Sequence, residues 1–291
     1  MQLRWGFRRT AAQAVCTILV LCFVIVLWRQ NGAAQPVFGE TEGVRLPIIM
    51  YHSILKDGAR QGKYVVSPDV FAADLDALRR RGYETVTVTD LLAYVQDGAP
   101  LPEKPVMLTF DDGYYNNYVY AYPLLRERGM RAVVSIIGCQ TALFTENGEE
   151  NAYWSHLRVE RLLEMQDVFE VQNHSWNLHE YGERRGCLRR RGEDETTYET
   201  LLREDTGQAQ RLITEAGLPA PTCYTYPFGA CSEESERVLR EMGFQCTLGC
   251  EERVNTVTQD ADCLFGMGRF NRPAGESTEA FLSRTMGEGR A

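Results

Sequence analysis

Val106-Met107-Leu108-Thr109-Phe110-Asp111-Asp112-Gly113-Tyr114 is the stretch from which the rest of the chain can be read. Val106, Met107, Leu108 and Phe110 form a nearly continuous apolar run, the pattern of a strand buried on both faces in an α/β protein. Gly113 permits backbone angles that other residues resist. The strand is therefore expected to end in a turn that presents Asp111 and Asp112. In α/β folds the C-terminal strand ends are where chemistry collects. Two adjacent carboxylates can divide the work, one holding a metal and one staying free as a base. Taken alone, such a pair is more often a solvated turn.

A second stretch changes the weight of the first. Glu170-Val171-Gln172-Asn173-His174-Ser175-Trp176-Asn177-Leu178-His179 reads as a short strand running into a loop, and it holds two of the four histidines of the chain. Two imidazoles and one carboxylate make a three-ligand site with an open position, as in hydrolytic zinc sites. The expected ligands are Asp112, His174 and His179. Zinc suits that donor set, and nickel or cobalt could substitute.

These stretches together resemble the polysaccharide deacetylase family, the NodB-homology or carbohydrate esterase family 4 fold. Thr109-Phe110-Asp111-Asp112-Gly113 matches its first motif, His174-Ser175 opens its second, and Tyr226-Pro227-Phe228-Gly229 is similar to its third. The resemblance runs from about Pro47 to Thr285. It implies removal of N-acetyl groups from N-acetylglucosamine units of a polysaccharide. It also implies that Asp112 binds metal while Asp111 is the base toward the attacking water. The backbone N–H of Tyr114 would face the oxyanion, and an acid must protonate the departing amine. Tyr226, Pro227 and Phe228 are expected to shape the wall of the sugar groove.

The chain departs from the common family pattern in three places. His174 and His179 are five residues apart rather than four, a spacing shared with the branch that deacetylates poly-N-acetylglucosamine. No histidine follows His179, whereas the common pattern has its acid near the C-terminus. That branch places the acid in an N-terminal motif, so Met50-Tyr51-His52-Ser53 makes His52 the expected general acid. His156 is expected to be an ordinary surface residue. The third motif also lacks its usual arginine, and Arg269 or Arg272 is expected to supply that charge from the last strand.

Outward from these motifs, the alternation of strand and helix patterns continues without an internal linker. Ser67-Pro68 reads as a helix start, with Phe71, Leu75 and Leu78 at helical spacing and Gly82 as the stop. Tyr83 to Val88 alternates as a strand, and residues 138 to 153 read as a long loop. Residues 180 to 196 are densely charged and read as a solvated loop. About eight such units favour one (β/α) barrel over two domains; the resemblance narrows this to a single distorted barrel of about seven or eight strands.

The first 30 residues differ in kind. Arg4, Arg8 and Arg9 precede an apolar run from Ala11 to Trp28. That run is near the short limit of about 17–25 residues for a bilayer span, and the arginines place its N-terminus in the cytoplasm. The expected organisation is a membrane anchor over 1–30, a tether over 31–45 and a catalytic domain over 46–291 outside the cell. A cleaved signal peptide would export the same domain. The exported part carries 27 basic against 40 acidic side chains, a net −13. The acidic balance of the whole chain, net −9, argues against nucleic acid as a partner, and that of the exported part favours a neutral or cationic substrate. Nothing in the sequence asks for more than a monomer. Seven cysteines lie beyond residue 30, an odd number whose pairing spacing does not reveal. Two rivals use the same residues: a glycan-binding protein without catalysis, and a metal-dependent phosphoesterase, whose anionic substrate the acidic surface disfavours.

Overall fold

The computed structural model describes residues 43–180 and 182–287. Seven parallel strands organise it: β1 (Ile48–Tyr51), β2 (Pro105–Phe110), β3 (Ala132–Ile136), β4 (Phe169–Asn173), β5 (Cys223–Thr225), β6 (Cys246–Leu248) and β7 (Phe270–Asn271). Their order in the sheet is β6-β5-β4-β3-β2-β1-β7. The two edges are joined by the segment that leads into β7. Met267 bridges Leu248 in β6, while Phe270 and Asn271 pair with Ile49 and Met50 in β1. This is (β/α)-barrel topology with seven strands. Every residue of β2 is buried, as its unbroken apolar run requires.

Helices α1 (Pro68–Arg80), α2 (Val88–Asp97), α3 (Tyr122–Glu127), α4 (Gly138–Asn147), α5 (Val159–Glu164), α6 (Glu195–Glu215), α7 (Glu233–Glu241) and α8 (Thr278–Met286) accompany the strands. The start of α1 follows its sequence signals: Ser67 Oγ accepts from Val70 N, Pro68 is the first helical residue, and Phe71, Leu75 and Leu78 are buried. Among the described residues no α-helix lies between β6 and β7, only a 3-10 turn over Ala261–Leu264. A short strand there, Asn255–Val257, pairs antiparallel with Val44–Leu46. Val44 and Arg45, in the stretch expected to be tether, thus belong to a strand.

Three sequence expectations change. Residues 138 to 153 are not one long loop, because 138–147 form α4. The buried face of α4 is Gly138, Thr141 and Phe144, so only one large apolar residue marks it. Gly138 lies so close to its neighbours that an added Cβ would stand 2.7 Å from the Trp176 ring. The strand expected over Tyr83 to Val88 contracts to Glu84–Thr85, since Val88 already belongs to α2. The charged stretch from 180 to 196 is also not wholly solvated. Arg184 is buried against Glu193, and Cys187 is buried with its sulfur 3.0 Å from Tyr224 Oη.

The expected anchor over 1–30 lies outside the described residues. Among those described, no helix is long and apolar enough to cross a membrane. All seven described cysteines are free thiols.

Candidate active site

The C-terminal ends of β1, β2 and β4 bring the expected residues together. His52 follows β1, Asp111 and Asp112 follow β2, and His174 follows β4. All of them, with His179, Tyr114 and Phe228, line one cavity of about 630 Å³. The turn after β2 is built from two left-handed residues, Asp112 at φ 69° and Gly113 at φ 69°. A side chain at Gly113 would also meet Ile136, with Cγ2 only 2.9 Å from the new Cβ. That turn directs the two carboxylates differently.

Asp111 is held by the bidentate guanidinium of Arg269, with Nη1 to Oδ1 at 2.6 Å and Nη2 to Oδ2 at 2.8 Å. Arg269 also donates to the Gly249 carbonyl and is fully buried. Burial alone would raise the Asp111 pKa. The charge of Arg269, then that of His174, outweighs it and holds the carboxyl below its usual range. Arg272 pairs with Asp74 instead, so the tertiary structure chooses between the two expected arginines.

Asp112 Oδ1 lies 3.4 Å from His174 Nε2 and 3.3 Å from His179 Nε2. It is buried and has no hydrogen-bond partner. His174 Nδ1 is 2.7 Å from the Thr225 carbonyl, which can only accept. Nδ1 therefore carries the proton, and in the neutral ring Nε2 turns a lone pair toward Asp112. A carboxylate oxygen and two imidazole nitrogens converge with a cation-sized gap between them. Among the described residues, these three side chains form a group whose ligand atoms all lie within 4.8 Å of one another. The donor set fits a divalent metal. Burial lowers the His174 pKa, but the charges of Asp112 and Asp111 turn the shift upward. His179 is lowered by burial and then by His174.

The five-residue histidine spacing is absorbed by a fixed loop. Ser175 adopts φ 74°, Asn173 Oδ1 accepts from Ser175 N at 2.8 Å, and Ser175 Oγ accepts from Leu178 N at 3.1 Å. Asp205, on α6, accepts from Trp176 N at 2.8 Å and Asn177 N at 2.7 Å. His179 then packs on the Phe228 ring, with centroids 4.4 Å apart.

His52 shares the cavity and stacks near Tyr64, with ring centroids 4.7 Å apart. Its Nδ1 is buried without a partner. Burial pushes its pKa down against the pull of Asp111 and Asp112. Tyr114 forms a bridge with His156 whose hydrogen bonds come from the flanking residues: Tyr115 N to Ser155 O and Leu157 N to Gly113 O. The N–H of Tyr114 is thereby left out of the ladder. Burial, then the charge of Asp112, raises the pKa of the Tyr114 hydroxyl.

Two expectations need correction here. Tyr226 is 1% exposed, packs in the core with Tyr224 and Phe244, and does not line the cavity; Pro227 is buried too. Only Phe228 of that trio reaches the groove, because its left-handed backbone (φ 59°) and Gly229 reverse the chain there. His156 is not a surface residue. It is buried, stands between the Tyr114 and Phe144 rings, and its Nδ1 lies 2.8 Å from the Asp112 carbonyl. It braces the aspartate turn from behind. Asn116 Nδ2 donates to Ser53 Oγ at 2.9 Å and Asn117 Nδ2 to the His52 carbonyl at 2.8 Å; neither these two nor Asp205 and Tyr64 are among the residues expected from sequence. An Asn-Asn pair just after the aspartates was the one signal in sequence; Asp205 lies mid-helix among other charges.

A family model described as Polysaccharide deacetylase matches residues 98–247. The chain is similar to the putative polysaccharide deacetylase YxkH of Bacillus subtilis, 28% identical over 239 residues, covering 81% of this chain and 75% of the relative. It is also similar to the poly-beta-1,6-N-acetyl-D-glucosamine N-deacetylase of Escherichia coli K12, 24% identical over 233 residues. That alignment covers 72% of this chain but only 34% of the longer relative. Among solved structures, IcaB from Ammonifex degensii superposes with a TM-score of 0.67 at 25% identity, covering 84% of this chain and 98% of that one.

Proposed function

Because this chain belongs to the polysaccharide deacetylase family, we propose that it is a metal-dependent hydrolase of N-acetyl groups on a β-linked N-acetylglucosamine polymer. The observation that carries the reading is the partnerless Asp112 Oδ1 between two histidine nitrogens, beside a second aspartate clamped by Arg269. Asp112, His174 and His179 would hold the ion, with zinc ahead of nickel or cobalt for this donor set. A divalent ion there supplies Lewis acidity and lowers the pKa of bound water.

The chain's own groups do the rest. Asp111 accepts the proton of the attacking water. It lines the cavity with one hydrogen bond on each oxygen, and Arg269 keeps it ionised and oriented. The N–H of Tyr114 donates to the oxygen that gains charge as the acetamide carbonyl becomes tetrahedral. His52, across the cavity, gives a proton to the departing amine so that acetate and a free amino sugar separate.

Poly-N-acetylglucosamine stands ahead of peptidoglycan as substrate. The names of several relatives support this, as do the position of His52 and the five-residue histidine spacing. Residues 1–30 would anchor the enzyme so that it meets the polymer outside the cell, and protease added to intact, wall-stripped cells should then digest the domain. The deciding experiment measures acetate released from both polymers by the purified full-length chain, with zinc and after chelation. Release that needs metal, and that His174→Ala abolishes together with metal binding, is the expected result. Release from peptidoglycan alone would overturn the substrate preference. Metal-independent release would overturn the mechanism.

A further inference from the structure

The stretch from Arg184 to Arg190 carries four arginines, and three of them are paired. Arg184 is buried against Glu193, Arg189 Nη2 lies 2.8 Å from Glu234 Oε1, and Arg190 Nη1 lies 3.4 Å from Glu183 Oε2. Arg185 is different. It is exposed, it lines the catalytic cavity with His179 and Phe228, and among the described residues its guanidinium has no hydrogen bond or ion pair. Acids are not scarce nearby, since Glu180, Glu183 and Glu193 all lie within eight residues of it.

The backbone around Arg185 is braced. Leu188 N donates to Arg185 O at 3.1 Å, Arg184 Nη1 donates to Leu188 O at 2.8 Å, and Tyr198 Oη donates to Cys187 O at 2.7 Å. Gly186 adopts φ 53°, and an added Cβ there would stand 2.6 Å from the Pro227 carbonyl oxygen. The loop therefore rests directly on the segment that carries Phe228. A guanidinium on such a turn is held near the cavity by the chain on both sides of it.

The other charged side chains of the lining are already engaged. Asp111 is gripped by Arg269, Asp112 faces two histidines, Glu252 lies 2.6 Å from Arg284, and Lys63 Nζ stands 5.0 Å from the centroid of the Tyr64 ring. Arg185 alone offers its donors to whatever enters. A guanidinium is a planar fork of N–H groups that matches the two oxygens of a carboxylate or phosphate. The acidic surface of the chain repels anions from afar, but salt screens that repulsion beyond about 8 Å. A cation in contact with the bound polymer then acts locally against the overall charge.

We propose that Arg185 binds an acidic substituent, a carboxylate or phosphate, on the sugar unit next to the one whose acetamide is hydrolysed, so that the enzyme prefers polymer carrying such groups. The proposal rests on the polymer deacetylase reading for the identity of the chain that bears the anion. Its geometric content is an unanswered cation on the lining of the cavity that holds Asp111, Asp112 and His174, fixed there by a braced turn.

The test compares substrates of one length and different charge. Full-length wild type, R185Q and R185K are assayed for acetate release, with zinc present, on three β-linked N-acetylglucosamine oligomers: unsubstituted, bearing an ether-linked lactate carboxylate on alternate units, and bearing phosphate. An exposed side chain without a partner can be replaced without unfolding the chain. Wild-type kcat/KM should be roughly fivefold higher on one or both acidic oligomers, the scale of an exposed ion pair, and which of them shows the rise identifies the substituent. R185Q should bring the acidic-to-neutral ratio to about one through KM, whereas R185K, which keeps the charge but not the fork, should retain part of it. The wild-type preference should also shrink as salt is raised. A wild-type ratio of one or below for both acidic oligomers, or the same ratio in wild type and R185Q, would overturn the proposal. Calorimetric titration of the same oligomers gives a readout independent of turnover. If wild type releases no acetate from any of them, the deacetylase reading fails, yet tighter binding of an acidic oligomer that R185Q loses still supports the anion subsite. Equal binding of acidic and neutral oligomers, or binding of none, overturns it.

Discussion

Two buried aspartate–arginine pairs lie at opposite ends of the same short segment, and they do different things. Arg269 and Arg272 are three residues apart, both fully buried, and each grips one aspartate with two nitrogens. Asp74 is saturated. Its Oδ2 accepts from Tyr51 Oη at 3.0 Å and Arg272 Nε at 2.7 Å; its Oδ1 accepts from Arg272 Nη2 at 3.0 Å and Thr278 Oγ1 at 2.6 Å. Two oxygens with about four lone-pair sites meet four donors, so nothing is left over for chemistry. Asp111 takes one bond per oxygen from Arg269, and it lines the cavity. A clamped carboxylate with one donor per oxygen, at a groove, has capacity left for the proposed role of base; the same pair closed on every side is a brace linking β1, α1 and α8. What separates them is the number of donors that the surrounding fold supplies.

The largest effect should come from removing the base. Asp111→Asn keeps the shape but not the proton acceptor. Acetate release should fall by about 10²–10⁴-fold, the usual scale for a positioned acid or base, while metal content measured by elemental analysis stays at the wild-type value. Wild-type turnover in this variant would erase the proposed distinction between the pairs.

Asp74→Ala should break the protein in the opposite sense. It leaves Arg272 buried without its counter-ion, at a cost of roughly 3–5 kcal/mol. The urea midpoint should drop accordingly, while turnover per folded molecule stays near wild type. A loss of turnover with an unchanged midpoint would place this pair in the mechanism after all.

A smaller effect tests the histidine loop. Asp205→Ala removes the acceptor shared by Trp176 N and Asn177 N, freeing His179 to wander from Asp112. Metal affinity, read by competition with a chelator, should weaken by about tenfold or more, as is typical of groups that orient metal ligands. Unchanged affinity would mean that Ser175 and Asn173 hold the loop without it.

The smallest expected effect is on acid stability. The folded pKa of Asp111 lies below its unfolded value, so the native state binds fewer protons than the unfolded chain. Its contribution is complete above the unfolded value of about 3.9 and is lost as pH falls through the lower folded value. The stability gap between wild type and Asp111→Asn should therefore narrow as pH falls from about 4 toward 2, in urea titrations at each pH. A gap that stays constant over that range would show that Arg269 does not bias the ionisation of Asp111.

The local rules that shaped strand β2 were fully visible in the chain. Its apolar run and Asp-Asp-Gly ending specified a buried strand with two carboxylates on a turn, because periodicity and glycine geometry are local properties. The three side chains proposed to hold a metal, Asp112, His174 and His179, could be picked out for the same reason: their chemistry is written in residue type, and the chain has only four histidines. The groove wall was not legible. Tyr226 and Phe228 are both aromatic and two residues apart, yet one is core and the other lines the site, because a left-handed turn at Phe228 swings it outward. Helix α4 was hidden because two of its three inward residues are Gly138 and Thr141, small enough to pack closely but not apolar enough to show a period. The choice between Arg269 and Arg272 lay beyond sequence as well. Each satisfies the same chemical need, and only closure of the sheet between β6 and β1 decides which guanidinium ends beneath Asp111 and which beneath Asp74. Residue type and local pattern determined what this protein can do; long-range packing, which sums contacts from distant parts of the chain, decided which of several equivalent side chains does it.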